Sequence, residues 1–251
     1  MLRRTLLAAV AISCLAVSCK KENKPVVTPV SDKATVNMTF HNYVDGQAIK
    51  QNQLDYTNKA GEKYSVGTLM YYVSNIVLKT ASGTTVKLPN YELINAFDAA
   101  TQSFKLANVP NGDYSEVQFF LGIDKAQNHN GAQEGDLDPI HGMIWTWQTG
   151  YVFFKHEGNF TPAGSSAIEG LSYHFATDKA LTTITLPVNL SVKGSDKSVT
   201  IDFDLNKAYS AVNTITFENN NLHHSDQAGD ATWLGQMMQN FGKAFSVSAV
   251  N

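Results

Sequence analysis

The sequence predicts an all-β fold, an antiparallel β-sandwich with one C-terminal helix, on three observations. Short segments alternate apolar and polar residues, as in VTIDFDL, where Val199, Ile201, Phe203 and Leu205 fall on one face and Asp202 and Asp204 on the other. Clusters of Gly, Asn, Asp and Pro separate these segments about every ten residues. A single segment of any length, DATWLGQMMQNFGKAF, carries helical spacing instead. Many short strands with one late helix fit a sandwich better than an alternating α/β fold.

Taken in order, residues 1–19 stand apart from the folded body. Arg3 and Arg4 precede the apolar run LLAAVAISCLAVS, the pattern of an export signal, too short and wrongly flanked for a membrane span. Cys19 follows LAVS and precedes KKENK, where a bacterial lipoprotein signal places its acylated cysteine, although Leu15 lies four positions ahead of it instead of three. Lipidation of Cys19 is therefore expected. It would hold the chain in the cell envelope, periplasmic or at the outer-membrane surface, with the lipid anchor as its membrane contact. Residues 20–33, polar and interrupted by Pro25 and Pro29, read as a flexible tether. Residues 34–251 read as a single β-sandwich domain.

Within that domain ATVNMTFHNY places Val36, Met38 and Phe40 on one face. YYVSNIVLKT, TTVKLP, DYSEVQFFLGI, GYVFFKHEG and LTTITLPVNLSV follow the same rule. The helical segment, Asp230 to Phe245, lines up Trp233, Met237 and Phe241, with Asp230 as its N-cap.

Composition narrows the function. The chain is 43% hydrophobic and 16% charged, enough apolar material for one sizeable core. Its net charge of -3, with both signs scattered, provides no basic face for phosphates, so nucleic acid is not an expected partner. No GxSxG elbow and no phosphate-cradling glycine loop occur, and the chain is not expected to be an enzyme.

Three groups of residues carry possible chemistry. The long connection from Gly122 to Gly150 holds Asp124, Asn128, Asn130, Glu134, Asp136 and Asp138, oxygen donors suited to calcium but equally to turns. A helix-loop-helix calcium pattern fails there, because Ala126 and Leu137 would occupy its first and last ligand positions. Seven histidines show no HExxH or zinc-type spacing, so any metal site must be assembled from distant segments. Adjacent His223 and His224 lie in a polar loop ahead of the helix. Trp145 and Trp147 stand two apart and would share a face of a strand, for packing, for stacking on a sugar ring, or for redox chemistry beside a metal.

The block GAQEGDLDPIHGMIWTWQTGYVFFKHEG, followed by Tyr173-His174-Phe175, resembles the MbnP-like family of exported bacterial copper-binding proteins. The matching positions include Gly131, Gln133, Leu137, Asp138, Met143, Trp145, Trp147, Gly150, Tyr151, Glu157 and Gly158, and similar residues run over almost all of the chain after the tether. Ala176 departs from a glycine preferred at that position.

This resemblance implies a β-sandwich that binds copper, sometimes near a diheme peroxidase-like partner. It implies His174, His223 and His224 as copper ligands and Trp145 or Trp147 as a residue oxidised into a further ligand. His129, His141 and His156 sit where the resemblance requires no histidine. The competing expectation is a surface-attached module that recognises glycan or protein through Trp145, Trp147 and Tyr151 without a metal. In that case the indoles would be exposed and the histidines scattered.

Overall fold

The computed structural model describes residues 32–146, 148–225 and 229–251. Cys19, expected to be lipidated, the expected signal segment, most of the expected tether and Trp147 lie outside the described residues. In chain order the strands begin with β1 Lys33–Val44, β2 Gln47–Ala48, β3 Tyr56–Thr57, β4 Lys63–Tyr64, β5 Thr68–Thr80, β6 Thr85–Asn95, β7 Ser103–Pro110 and β8 Gly112–Leu121. They continue with β9 Ile144–Thr146, β10 Gly150–Thr161, β11 Glu169–Ala176, β12 Thr182–Val192, β13 Lys197–Asp204, β14 Leu222–His223 and β15 Phe245–Val250. Helices are α1 Lys125–Asn128, α2 Leu205–Ser210 and α3 Ala231–Ala244.

Two sheets face each other. One runs β15-β13-β1-β2, with β7 also on β1. The larger runs β12-β8-β5-β10-β11-β14, with β6 on β5, and β4 and β9 on β10. Pairing is antiparallel except at β1–β13 and β11–β14. Parallel neighbours need a long crossover. Between β1 and β13 that crossover is most of the domain, so a pairing set by tertiary closure leaves no local mark in the sequence.

The period-two reading of β1 holds: Val36, Met38 and Phe40 are fully buried. Across the sandwich Phe40 meets Phe119 edge-on at 5.7 Å, and Tyr71 meets Phe203 at 5.3 Å. Helix α3 closes the open side, setting Phe241 against Phe154 at 4.9 Å and Phe175 at 5.2 Å. Aromatic pairs in edge-to-face arrangements, as at Phe40–Phe119, Phe154–Phe241 and Phe175–Phe241, add to the burial energy.

Three local expectations change. Leu205 is not the last inward residue of a strand, because Asp204 accepts from Asn206 N at 3.1 Å and starts α2 there. Asp230 flanks α3 but makes no side-chain cap; its carboxylate is engaged by His223 instead. The connection from Gly122 to Gly150 is built of α1, two 3-10 turns and β9, not an unstructured loop. Its three aspartates are committed within the fold. Asp124 accepts from Tyr91 and Asn75, Asp136 from Leu93 N, and Asp138 from Ile140 N, which ties the segment to β6 and caps its turns.

His156, on the inward face of β10, is wholly buried, with Nδ1 against Tyr209 Oη at 2.5 Å and Nε2 against the Ser65 carbonyl at 3.2 Å. Burial lowers its pKa from 6.5 to about 4.

Two outcomes are expected. Phe241→Ala should cost about 3–5 kcal/mol in urea unfolding, because it empties the contact between helix and both sheets. Above pH 6.5 His156 is neutral folded or unfolded, and below it only the unfolded chain gains a proton until about pH 4. Stability should therefore fall by ~3 kcal/mol across that window. Unfolding midpoints of His156→Gln should lose that component of the pH dependence.

Candidate metal centre

The site forms on the outer face of β10 and β11. On β11, Leu171, Tyr173 and Phe175 point into the core, so Ser172 and His174 point away from it. On β10 the alternation buries His156 and leaves Lys155 and Glu157 outward, with Lys155 opposite His174.

Strand β14 then decides the two adjacent histidines. It runs parallel to β11 with Ser172 beside Leu222 and Tyr173 beside His223. His223 consequently shares the inward face of Tyr173. Its ring stacks on Trp233 at 4.4 Å, and its nitrogens meet Asp230 Oδ1 and Asn220 Oδ1, each at 2.6 Å. His224, one residue on, turns to the outward face. Its ring stacks on His174 with centroids 4.7 Å apart and planes 9° from parallel.

Trp145 on β9 completes the cluster, 5.9 Å from His174 and 5.7 Å from His224 between ring centroids. The structure thus brings together His174, His224 and Trp145 and holds His223 apart, with both of its nitrogens engaged. Trp145 is half-buried and borders a depression of about 310 Å³ with Thr146, Thr149 and His224.

The hairpin carrying Trp145 depends on Gly150. Its φ is +82°, and a Cβ there would lie 2.2 Å from Asn128 Oδ1, the atom that accepts from Tyr151 N at 2.8 Å. Tyr151 Oη in turn donates to the Leu137 carbonyl at 2.6 Å, and Gln133 Nε2 donates to Tyr151 Oη at 3.2 Å. Gly158 has a similar role further along β10: a Cβ would lie 2.1 Å from the Ser65 carbonyl, the group His156 bonds. Much of the tryptophan-containing block therefore builds the support for Trp145 and not the site itself.

Electrostatics single out one nitrogen. Glu157 Oε1 lies 2.8 Å from His174 Nε2 and 3.5 Å from Lys155 Nζ. Although burial alone would raise the Glu157 pKa, the His174 hydrogen bond and Lys155 hold it below the usual carboxylate range. Burial pushes His174 down, with Glu157 opposing. A carboxylate only accepts, so Nε2 carries the proton and Nδ1 carries the lone pair. Nδ1 is buried and has no hydrogen-bond partner among the described residues. A carboxylate orienting an imidazole through its other nitrogen is the usual support of a metal-ligating histidine. Glu157 was not among the site residues expected from the sequence, although it is one of the positions that resemble the MbnP-like family and alternates with His156 beside Lys155.

Among the described residues no group of three His, Cys, Asp or Glu side chains is arranged to hold a metal. Two imidazoles and an indole are what the fold gathers. The MbnP family model matches residues 33–227. The chain belongs to the MbnP family. Its match spans every element that builds the cluster, from β9 to His224. Among solved structures, MbnP from Methylosinus trichosporium is similar at 14% identity with a TM-score of 0.47, over 69% of this chain and 76% of that one. No curated protein matches.

The support for Trp145 can be tested directly. Gly150→Ala combines a disfavoured φ with a clash and should destabilise the fold by about 2 kcal/mol or more. Urea unfolding reads the loss, and near-ultraviolet circular dichroism should show the Trp145 environment disturbed.

Proposed function

We propose that this MbnP-family protein binds copper on the outer face of its larger sheet, through His174 and His224, with Trp145 as the residue oxidised into a further ligand. The observation that carries this reading is His174 Nδ1, a buried lone pair left without a partner while Glu157 fixes the opposite nitrogen. The donor set fits: imidazoles suit copper, and a second ring lies stacked at 4.7 Å. The unmodified indole offers no lone pair to a cation, whereas ring-opened oxidation products carry an aryl amine and carbonyl oxygens. Copper, when bound, would supply a redox-active cation beside that ring. Glu157 would orient His174, and Lys155 would hold the Glu157 charge in place.

A metal-free recognition surface is less well supported. It would use an exposed Trp145 and dispersed histidines, yet Trp145 leans on two imidazoles. Lipid anchoring through Cys19 and an oxidising diheme peroxidase-like partner belong to the same proposal, since ring opening of Trp145 requires an outside oxidant.

Copper titration of the folded protein is the direct test. His174→Ala should lower affinity at least about tenfold, a loss typical of removing one ligand or its support. His224→Ala should do likewise, whereas His223→Gln should lower thermal stability and leave the stoichiometry unchanged. Unchanged affinity in His174→Ala would refute the assignment. Protons compete for imidazole lone pairs, so affinity should fall as pH is lowered, and because burial pushes the His174 pKa down its lone pair stays available to a pH below the usual histidine range. Intact mass of the native protein should show Trp145 carrying two added oxygens, or that gain less carbon monoxide.

A further inference from the structure

Behind β11, on the face turned away from the imidazole cluster, the core holds a continuous file of oxidisable rings. Centroid separations are 5.2 Å from Trp233 to Tyr173, 5.9 Å from Tyr173 to Tyr209, 6.1 Å from Tyr209 to Tyr64 and 5.6 Å from Tyr64 to Tyr56. The first four rings are buried. Tyr56 reaches a surface depression of about 420 Å³ that it shares with Asp45, Lys50 and Asp55.

The three buried tyrosines of the file differ in where a hydroxyl proton can go. Tyr173 donates to the Asn220 carbonyl at 2.6 Å and Tyr64 to Asn206 Oδ1 at 2.8 Å. Amide oxygens do not take up a proton near neutral pH. Tyr209 Oη instead lies 2.5 Å from His156 Nδ1. Because the Ser65 carbonyl accepts from Nε2 of that ring, Nδ1 holds the lone pair.

Removing an electron turns a phenol into a strong acid, so a buried tyrosine is oxidised readily only where a base stands at hydrogen-bond distance. Burial keeps His156 neutral, with its pKa lowered to about 4, yet it stays far more basic than an oxidised phenol. Geometry and chemistry agree on one ring in the file.

We infer that Tyr209 is a redox-active tyrosine: a high-potential, one-electron outer-sphere oxidant draws an electron from the file, the hole settles on Tyr209, and its hydroxyl proton moves to His156. The O–H bond of Tyr209 breaks and an N–H bond forms at Nδ1. The products are a neutral phenoxyl radical and an imidazolium, and the oxidant gains the single electron. Nothing in this step requires copper at His174 and His224, so the two proposals fail separately.

The experiment uses the intact folded protein, photolysed with ruthenium(II) tris(bipyridine) and persulfate, frozen, and read by electron paramagnetic resonance. The expected signal is a neutral tyrosyl radical with a strong coupling to one exchangeable proton. Tyr209→Phe should lose that signal. His156→Gln, which retains an amide but no base, should lose it too, whereas Tyr71→Phe, outside the file, should keep it. Retention of the wild-type signal in Tyr209→Phe overturns the inference. If either variant does not fold, exchange into heavy water decides on the wild type alone. A radical centred on tryptophan, or a tyrosyl without an exchangeable coupling, then counts against Tyr209.

Discussion

The parallel pairing of β14 with β11 governs the candidate site. Consecutive residues in a strand point to opposite faces, so placing His223 beside Tyr173 forces His224 beside His174. A shift of one residue in that register would exchange the two histidines. His224 would then enter the core against Trp233, and His223 would take the outward position, away from the Asp230 carboxylate it now meets. The inward ring is therefore among the features that fix the outward one. Its stack on Trp233 and its two hydrogen bonds lock the register that delivers His224.

The same alternation separates two chemistries across one strand. Outward from β10 and β11 stand Lys155, Glu157 and His174, partly buried and coupled by charge. Inward stand His156 and Tyr173, enclosed by rings from β4, α2 and α3. His174 is held by a carboxylate that favours a fixed tautomer, and His156 by a neutral hydroxyl and a carbonyl. His174 and His156 thus acquire opposite properties on the two faces of one strand pair, because one borders water and a charge while the other is enclosed by neutral groups.

Packing explains why the longest recognisable stretch of sequence supports the site more than it forms it. Gly150, Tyr151, Gln133 and Asn128 interlock through close backbone approach and hydrogen bonds, and together they aim the β9–β10 hairpin. Glycine is needed at 150 because no side chain fits against the Asn128 amide. Helix α3 anchors the opposite side, and the wholly buried Asn240 accepts from Val212 and Asn213 N and so ties the helix to the segment after α2.

Alternation and helical spacing along the chain were enough to read the sandwich class, the inward faces of the long strands and the C-terminal helix, and the resemblance pointed to Trp145 or Trp147 together with His174 and the His223–His224 pair. These follow from periodicities of two and 3.6 and from a resemblance spread along the chain. Tertiary structure alone decided that His224 and not His223 joins His174, that Glu157 orients it, that β1 pairs in parallel with β13, and that His156 faces Tyr209. The reason is physical: alternation assigns faces within a segment, whereas register between segments far apart in the chain is set by closure of the whole core.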